Sequence, residues 1–182
     1  MRVITGSARG RRLETLSGDD VRPTTDRIKE AVFSIIQFQI MGRSFLDLFA
    51  GSGQMGIEAL SRGAAEAVFV DNSRSSVAVI KKNLSSVKLS ENAKVLNMDS
   101  LGFLSMKTQT FDIAFLDPPY ETDLLDRALP LVTEVMNKGG IIICESTMDK
   151  QLPDSCGDFV KVKEYRYGKI KITTYRHKEA EE

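Results

Sequence analysis

Residues 45–71 read FLDLFAGSGQMGIEALSRGAAEAVFVD, and the order of features in this stretch indicates the kind of fold to expect. A short apolar run precedes Gly51, Gly53 and Gly56, and a longer segment then leads through Gly63 into a second apolar run. Short apolar runs bounded by glycine are typical of strands buried on both faces, and the segment between them is long enough for a helix. The stretch therefore predicts a strand–turn–helix–strand unit, which is the building block of a parallel sheet.

The same alternation continues toward the C-terminus. Apolar runs that predict further strands lie at 93–99, 111–117 and 139–146, and helical patterns lie at 73–89, 100–107 and 123–137, the last with Pro130 as a kink or a delayed start. Two alternating runs within residues 158–177 surround Tyr167 and Gly168, which is the pattern of an antiparallel hairpin.

The residues before the first strand have a different pattern. Gly6 and Gly10 divide residues 2–16 into short segments that could form a hairpin arm. Residues 24–40 have apolar side chains at helical spacing, and Thr25 or Asp26 could cap that helix.

We therefore expect one domain, residues 1–182, of the α/β class. Its core, residues 44–176, should be a Rossmann-like, mostly parallel sheet that ends in the antiparallel hairpin, and residues 1–43 should add the arm and a helix. Ligands of such sheets bind at the carboxyl ends of the strands. The segments that follow the first and fourth strands, DLFAGSG and DPPY, should therefore open onto the same edge.

Composition excludes several classes of protein. Apolar residues make up 42% and charged residues 27%, which is ordinary for a globular domain, and no apolar run approaches the length of a membrane span. The first residues lack the apolar segment of a signal peptide, and Cys144 and Cys156 do not form a metal-binding pattern. His177 is the only histidine and lies near the end of the chain. We expect a cytoplasmic protein without a metal or a histidine general base.

Charge is distributed unevenly although the net charge is zero. Residues 1–43 carry a net charge of +3, residues 44–160 carry −6, and residues 161–182 carry +3. Arg9, Arg11 and Arg12 lie close together in a segment without acids. Basic ends on an acidic body are typical of a nucleic-acid-binding surface, although an ordinary solvated surface would have the same pattern.

The glycine motif predicts a nucleotide-type cofactor. Gly51, Gly53 and Gly56 allow a tight turn and a close approach of backbone to ligand, and Asp71 at the end of the next strand could accept hydrogen bonds from ribose hydroxyls. These features suit NAD equally well. Asp47 favours S-adenosylmethionine, because a carboxylate just before the turn would repel a pyrophosphate but attract an ammonium and a sulfonium. Asp99 could reach the adenine amino group, or it could simply cap the next helix.

The segment DPPY at 117–120 predicts what accepts the transferred group. Two prolines cannot continue a strand, so they form a stiff end that presents Asp117 and Tyr120 in fixed positions. An exocyclic amine of a nucleobase becomes a better nucleophile when its N–H groups donate hydrogen bonds, here to Asp117 and to the Pro118 carbonyl. Tyr120 could stack on the base. The sequence therefore favours methylation of a flipped-out or single-stranded base.

With these residues in hand, the chain resembles class I S-adenosylmethionine-dependent methyltransferases, and most closely the RsmD family of bacterial 16S rRNA guanine-N2 methyltransferases. The segments that carry the resemblance are ITGSARGRRL, VRPTTDRIKEAVFSII, FLDLFAGSGQMGIEALSRGA, VFVDNS, FDIAFLDPPY and YGKIKITTYR.

The resemblance implies transfer of one methyl group to N2 of a guanine in 16S rRNA, on an assembled small ribosomal subunit. It implies that Arg22, Thr24 and Arg27 face the cleft between cofactor and substrate, and that Arg9, Arg11 and Arg12 bind RNA backbone. The expected catalytic residues are Asp117, Pro118, Pro119 and Tyr120, and the expected cofactor-binding residues are Asp47, Phe49, Gly51, Gly53, Asp71, Asn72, Asp99, Ser100 and Thr24.

Three alternatives stay open. The same chemistry could methylate N6 of adenine in nucleic acid, or a glutamine amide in protein. An NAD-dependent oxidoreductase would explain Gly51, Gly53, Gly56 and Asp71, but it would explain neither Asp47 nor DPPY. A catalytically inactive RNA-binding protein would not need the intact DPPY segment.

Overall fold

The computed structural model of the chain describes residues 1–16 and 25–180. The strands in these residues are β1 (Ser44–Asp47), β2 (Glu66–Asp71), β3 (Ala93–Asn97), β4 (Phe111–Leu116), β5 (Met136–Thr147), β6 (Ser155–Cys156), β7 (Phe159–Tyr167) and β8 (Ile170–His177). The helices are α1 (Asp26–Ile35), α2 (Gln54–Ser61), α3 (Arg74–Val87), α4 (Ser100–Met106) and α5 (Leu124–Thr133), and a single 3₁₀ turn spans Ser90–Asn92.

All of these strands join one sheet in the order β3-β2-β1-β4-β5-β8-β7-β6. The first five strands are parallel, whereas β8, β7 and β6 are antiparallel to their neighbours. The direction of winding reverses between β1 and β4, which is the position where ligands of such sheets bind. The expected α/β fold with an antiparallel C-terminal hairpin is confirmed. The division into residues 1–43 and 44–176 stays a prediction.

Alternating side chains of the central strands supply two apolar clusters, one on each face of the sheet. On one face Phe45, Phe69 and Phe115 pack beneath α1, α2 and α3. On the other face Leu46 and Val68 pack beneath α4 and α5. Burial on both faces explains why the central strands are almost continuously apolar.

Helix α1 is shorter than its sequence pattern predicts. Thr25 caps its start by accepting a hydrogen bond from the Ile28 N–H at 3.4 Å, as expected, but the helix ends at Ile35 rather than at residue 40. The Gln39 N–H already donates to the Ile36 carbonyl in a turn, and Phe38 is 93% exposed. The apolar residues of 36–40 therefore continue the helical pattern without continuing the helix.

The boundary between α5 and β5 also differs from the prediction. The helix runs through Pro130 but ends at Thr133 instead of residue 137, and β5 begins at Met136 instead of residue 139. Met136 pairs with Phe111 of β4, and the Phe111 N–H donates to the Val135 carbonyl at 2.8 Å. Pairing with a distant strand therefore overrides the local helical pattern. Strand β6, only two residues long, was not predicted because it is too short to show a period.

The N-terminal arm forms the expected hairpin, with a bridge between Arg2 and Arg12, and it packs against α2. The Ile4 and Thr5 N–H groups donate to the Glu58 carboxylate at 2.8 and 2.9 Å. A side chain at Gly6 would lie 1.7 Å from the Ser61 carbonyl oxygen, so only glycine fits at this contact. The arm is therefore fixed to the core.

A buried ion pair joins the arm, α1 and α2. Lys29 and Glu58 are both fully buried with their charged atoms 3.6 Å apart, and Lys29 Nζ also donates to the Arg2 carbonyl at 2.5 Å. Burial lowers the pKa of Lys29, and the nearby Glu58 and Asp26 oppose that shift.

Among the described residues, the helices lack the combination of length and apolar character that crossing a membrane requires.

Candidate active site at the carboxyl edge of the sheet

Three acids gather where β1, β2 and β4 end. Asp47 pairs with Phe69 of β2 on one side and with Phe115 of β4 on the other. Asp71 and Asp117 lie two residues beyond those partners, so they flank Asp47 about 7 Å further along the strands. The glycine turn and DPPY therefore open onto the same edge, as the sequence predicts.

The glycines of the turn have two different physical roles. Gly51 and Gly53 have φ angles of 54° and 79°, in the left-handed region that side chains disfavour. Gly56 has an ordinary backbone, but a side chain there would lie 2.3 Å from the ring of Phe69. The first two glycines shape the turn, and the third lets α2 pack closely on β2.

Asp47 is the buried acid of the site. It is 2% exposed, and its Oδ2 accepts a hydrogen bond from the Gly56 N–H at 2.9 Å. Burial raises its pKa to about 7, the Gly56 N–H opposes that shift, and the negative charge of Asp71 adds to it. A cationic ligand beside Asp47 would favour the ionised carboxylate. The residues thus fit a cofactor that carries positive charge.

Asp71 organises the turn. Its Oδ2 accepts from the Gly51 N–H at 2.8 Å and its Oδ1 accepts from the Ser73 N–H at 2.9 Å. One oxygen therefore fixes the glycine turn after β1 and the other fixes the backbone after β2, and the expected ribose contacts would use their remaining acceptor capacity. Asn72, next to it, is exposed. The ribose role of Asp71 stays a prediction.

Asp99 has the capping role that the sequence left open. Its Oδ2 accepts from the Gly102 N–H at 2.7 Å at the start of α4. The buried hydroxyl of Ser100 donates to the Leu48 carbonyl at 3.0 Å and so ties α4 to the residue after β1. Phe49 is half-buried and packs against the α4–α5 cluster. Contacts of these three residues with a cofactor stay predictions.

The DPPY segment is anchored from the neighbouring strand. Pro118 is buried and Pro119 is exposed, with the Pro119 carbonyl accepting from the Thr122 hydroxyl at 2.7 Å. The Tyr120 hydroxyl donates to Glu145 Oε1 of β5 at 2.7 Å, and Glu145 is only 2% exposed. The Tyr120 hydroxyl therefore helps to fix the position of the ring, and the stacking role of the ring stays a prediction.

Sequence reasoning did not identify Glu145. The available signal was an acid inside the apolar run IIICES, since a buried carboxylate requires a partner. That run ends beside DPPY because β5 pairs with β4. Glu58 was missed in the same way, since apart from the nearby Arg62 its partners lie in the arm and in α1.

The arginines predicted to bind RNA lie in two described parts of the molecule, the N-terminal arm and the start of α1. Arg9, Arg11 and Arg12 are exposed on the arm, and none of them makes a salt bridge to any residue in 1–16 or 25–180. The Ser7 N–H donates to the Ser61 carbonyl, so the tip of the arm lies at the end of α2 opposite the glycine turn, about 12 Å away. Arg27 is exposed on the first turn of α1. Arg22 and Thr24 lie outside the described residues.

Comparisons with known proteins agree with this geometry. The model of the family described as Conserved hypothetical protein 95 matches residues 1–176. Ribosomal RNA small subunit methyltransferase D of Haemophilus influenzae is 40% identical over 157 residues, which cover 84% of this chain and 81% of that protein. The Escherichia coli protein of the same name is 34% identical over 178 residues, which cover 97% and 89%.

Solved structures show the same architecture. The Escherichia coli protein yhhF superposes with a TM-score of 0.88 at 32% identity, over 97% of each chain. The Thermus thermophilus 16S rRNA N2 methyltransferase RsmC, solved with AdoMet and guanosine, superposes with a TM-score of 0.70 over 85% of this chain and 44% of its own. Its 22% identity supports a shared fold only.

Proposed function

The chain belongs to the family described as Conserved hypothetical protein 95, the RsmD family, and from this membership and the site geometry we propose that it transfers a methyl group from S-adenosylmethionine to the exocyclic N2 amine of a guanine in 16S rRNA. One observation carries the proposal. Asp47 is the last residue of β1, and Asp117 directly follows the parallel neighbour β4, two residues beyond the partner of Asp47. The backbone positions of Asp47, the acid proposed to bind the cation, and of Asp117, the acid proposed to bind the amine, are therefore about 8 Å apart across the two strands.

The β1–β2 side of the edge has the groups that S-adenosylmethionine needs. When bound, this cofactor supplies a methyl group on a positively charged sulfur. The buried Asp47 would face the positive part of the cofactor. Asp71 would accept hydrogen bonds from the ribose hydroxyls of the cofactor. The N-terminus of α2, with Gly53 as its cap, brings backbone N–H groups to the same place.

The β4–β5 side would bind and activate the target amine. Asp117 and the Pro118 carbonyl would accept its two N–H hydrogen bonds, which increases the electron density on the nitrogen and stabilises the positive charge that develops as the N–C bond forms. The proton that the amine then loses would pass to the Asp117 carboxylate or to solvent. Tyr120 would stack on the base, with Glu145 holding its hydroxyl. The only histidine, His177, pairs with Phe159 at the end of the β7–β8 hairpin that is farthest from its turn, and this end lies away from DPPY. The reaction would therefore use no histidine base.

The substrate assignment rests on the relatives. The two small-subunit methyltransferases named above match most of this chain, and the exposed arginines of the arm would contact the RNA backbone. We include in the proposal that the substrate is an assembled small subunit and that the reaction takes place in the cytoplasm.

The test is transfer of labelled methyl groups from S-adenosylmethionine onto small ribosomal subunits from cells that lack this protein, followed by digestion and mass analysis of the labelled nucleoside. We expect N2-methylguanosine from 16S rRNA. N6-methyladenosine would replace guanine by adenine as the target, label in protein would indicate an amide substrate, and no transfer to subunits or free rRNA would contradict the proposal.

A further inference from the structure

An open groove lies between α1 and β7, on the face of the sheet that α1 covers. We refer to it as the α1–β7 groove. Its volume is about 430 Å³, and its walls include Arg27, Glu30 and Ile35 from α1 and Tyr165 and Tyr167 from β7. Both tyrosines are half-buried and pack against the apolar cluster of this face, so their rings are held in place while part of each stays accessible.

The register of the sheet places this groove beside DPPY. Glu145 of β5 pairs with Ile172 of β8, and Ile172 pairs with Tyr165 of β7. Directly paired residues point to the same face, and two strand spacings separate Glu145 from Tyr165 by about 10 Å. Because Glu145 accepts the hydrogen bond of the Tyr120 hydroxyl, the Tyr165 wall of the groove lies about 10 Å from the residue that anchors DPPY, which is within the reach of a nucleotide next to the target base.

The rim of the groove is basic. Arg27 and Lys163 are exposed on this side, and within the described parts of the chain neither makes a salt bridge, whereas Arg166 alternates with the two tyrosines and lies on the opposite face of β7. Lys163 places its Nζ 4.9 Å from the centre of the Tyr165 ring. Glu30 is the acid in the groove wall, whereas Glu164 of β7 faces away and lies 3.3 Å from Lys171. Aromatic rings with unpaired cations around them are the groups that bind single-stranded nucleic acid.

We propose that the α1–β7 groove binds the single-stranded nucleotides that flank the target base, with Tyr165 and Tyr167 stacking on bases and Arg27 contacting a phosphate. This inference rests on the proposed function, because it requires an RNA substrate. A base that enters the active site must leave its stack, so its neighbours lose a stacking partner and can take a new one from the protein.

The main test is the pair of substitutions Tyr165→Leu and Tyr167→Leu in one protein, assayed with small ribosomal subunits from cells that lack the wild-type protein. Leucine keeps apolar packing and removes the aromatic face. Loss of a stacked base costs about tenfold or more, so KM for subunits should rise at least tenfold while the Kd for S-adenosylmethionine stays the same. The conservative pair Tyr165→Phe and Tyr167→Phe should recover most of the loss.

Phe38→Leu is the matched control. Phe38 is an exposed aromatic residue between α1 and the start of β1, so it lies at the amino ends of the parallel strands, opposite the carboxyl edge. This substitution should leave KM unchanged. If the wild-type protein transfers methyl groups and the double leucine variant has the wild-type KM, the groove inference is wrong and the proposed function stands. If the wild-type protein transfers none, both are wrong.

A second experiment covers the case in which the leucine variant does not fold. Arg27→Ala changes only an exposed side chain, and it should raise KM for subunits severalfold and reduce the salt dependence of binding by about one phosphate contact. An unchanged KM and salt dependence would contradict the groove as an RNA site.

Crosslinking would identify the occupant. A benzophenone amino acid in place of Tyr167 should crosslink to 16S rRNA close to the methylated nucleotide when the protein binds small subunits. A crosslink to a ribosomal protein would show that the groove binds protein, and binding without any crosslink would leave the groove outside the contact. Either result would overturn the inference.

Discussion

The two halves of the carboxyl edge are stabilised in different ways. On the half formed by β1, β2 and β3, Asp47, Asp71 and Asp99 accept hydrogen bonds from backbone N–H groups. On the β4–β5 half, a contact between two side chains, Tyr120 and Glu145, fixes the key ring. Backbone contacts shape the half proposed to bind the cofactor, and a contact between side chains fixes the ring in the half proposed to bind the target base. Substitutions should therefore separate cofactor affinity from turnover.

The largest expected effect lies on the β4–β5 half. Asp117→Ala removes an acceptor that acts mainly in the transition state, so kcat should fall by about 10² or more while the Kd for S-adenosylmethionine changes little. Single-turnover methyl transfer and calorimetry would measure the two quantities. Asp117→Asn, which keeps one acceptor oxygen, is the matched control and should lose less. Wild-type turnover in Asp117→Ala would remove Asp117 from the mechanism.

Asp47→Asn should weaken the binding of S-adenosylmethionine, which Asp117→Ala leaves nearly unchanged. It keeps an oxygen for the Gly56 N–H but removes the negative charge, so the affinity for S-adenosylmethionine at pH 8 should fall about tenfold or more. In the wild-type protein, affinity should rise with pH up to about 7 and then level off, because ionisation of Asp47 precedes binding of a cation. The variant should have a flat profile. A wild-type profile that is also flat would contradict the charge role of Asp47.

The same titration should appear in the stability of the cofactor-free protein. Unfolded Asp47 ionises near pH 3.8, whereas the folded protein holds the proton until about pH 7. The unfolded state therefore binds fewer protons in this window, and this contribution to stability is lost as pH rises from about 4 to 7. The difference in unfolding free energy between wild type and Asp47→Asn should change across that window. A constant difference would show that Asp47 is not buried as a protonated acid.

The contact between Tyr120 and Glu145 should have a smaller effect. Tyr120→Phe removes one hydrogen bond and leaves the ring, so kcat/KM should fall by about two- to tenfold, whereas Tyr120→Ala should lose more because stacking is lost as well. Glu145→Gln should lower kcat/KM by about the same factor as Tyr120→Phe. A cycle of the two single variants and their double variant measures the coupling. Strict additivity would show that the hydroxyl does not act through Glu145.

The smallest effect at low salt is expected from the arm. Replacing Arg9, Arg11 and Arg12 together by alanine should lower the salt dependence of subunit binding by up to about three phosphate contacts. Arg43→Ala is the control, because Arg43 is already paired with Asp112 at 3.4 Å. If the triple variant keeps the wild-type salt dependence, the RNA contacts lie elsewhere, and the α1–β7 groove becomes the main candidate.

The sequence predicted the features that depend on local pattern. The carboxyl ends of β2 and β4, the glycine turn and the turn at Gly168 all follow from short-range periodicity and from residues that permit few conformations. These features place Asp47, Asp71 and Asp117 together, because the strands that carry them are parallel neighbours.

Features that depend on distant contacts could not be predicted in the same way. The pairing of Met136 with Phe111 sets the start of β5 against a helical pattern. The Tyr120 partner of Glu145 is 25 residues away in the chain, and Glu58, besides the nearby Arg62, contacts Lys29 and the backbone of the arm. The α1–β7 groove depends on how α1 lies over the hairpin, which no local pattern encodes.

A crystal structure with S-adenosylmethionine tests the central claim most directly. The account predicts that the ammonium and sulfonium lie on the side of Asp47 and the glycine turn, that the ribose contacts Asp71, and that the methyl group points toward Asp117 and Tyr120. A cofactor bound away from DPPY, or one whose methyl group points away from Asp117, would contradict the proposed reaction.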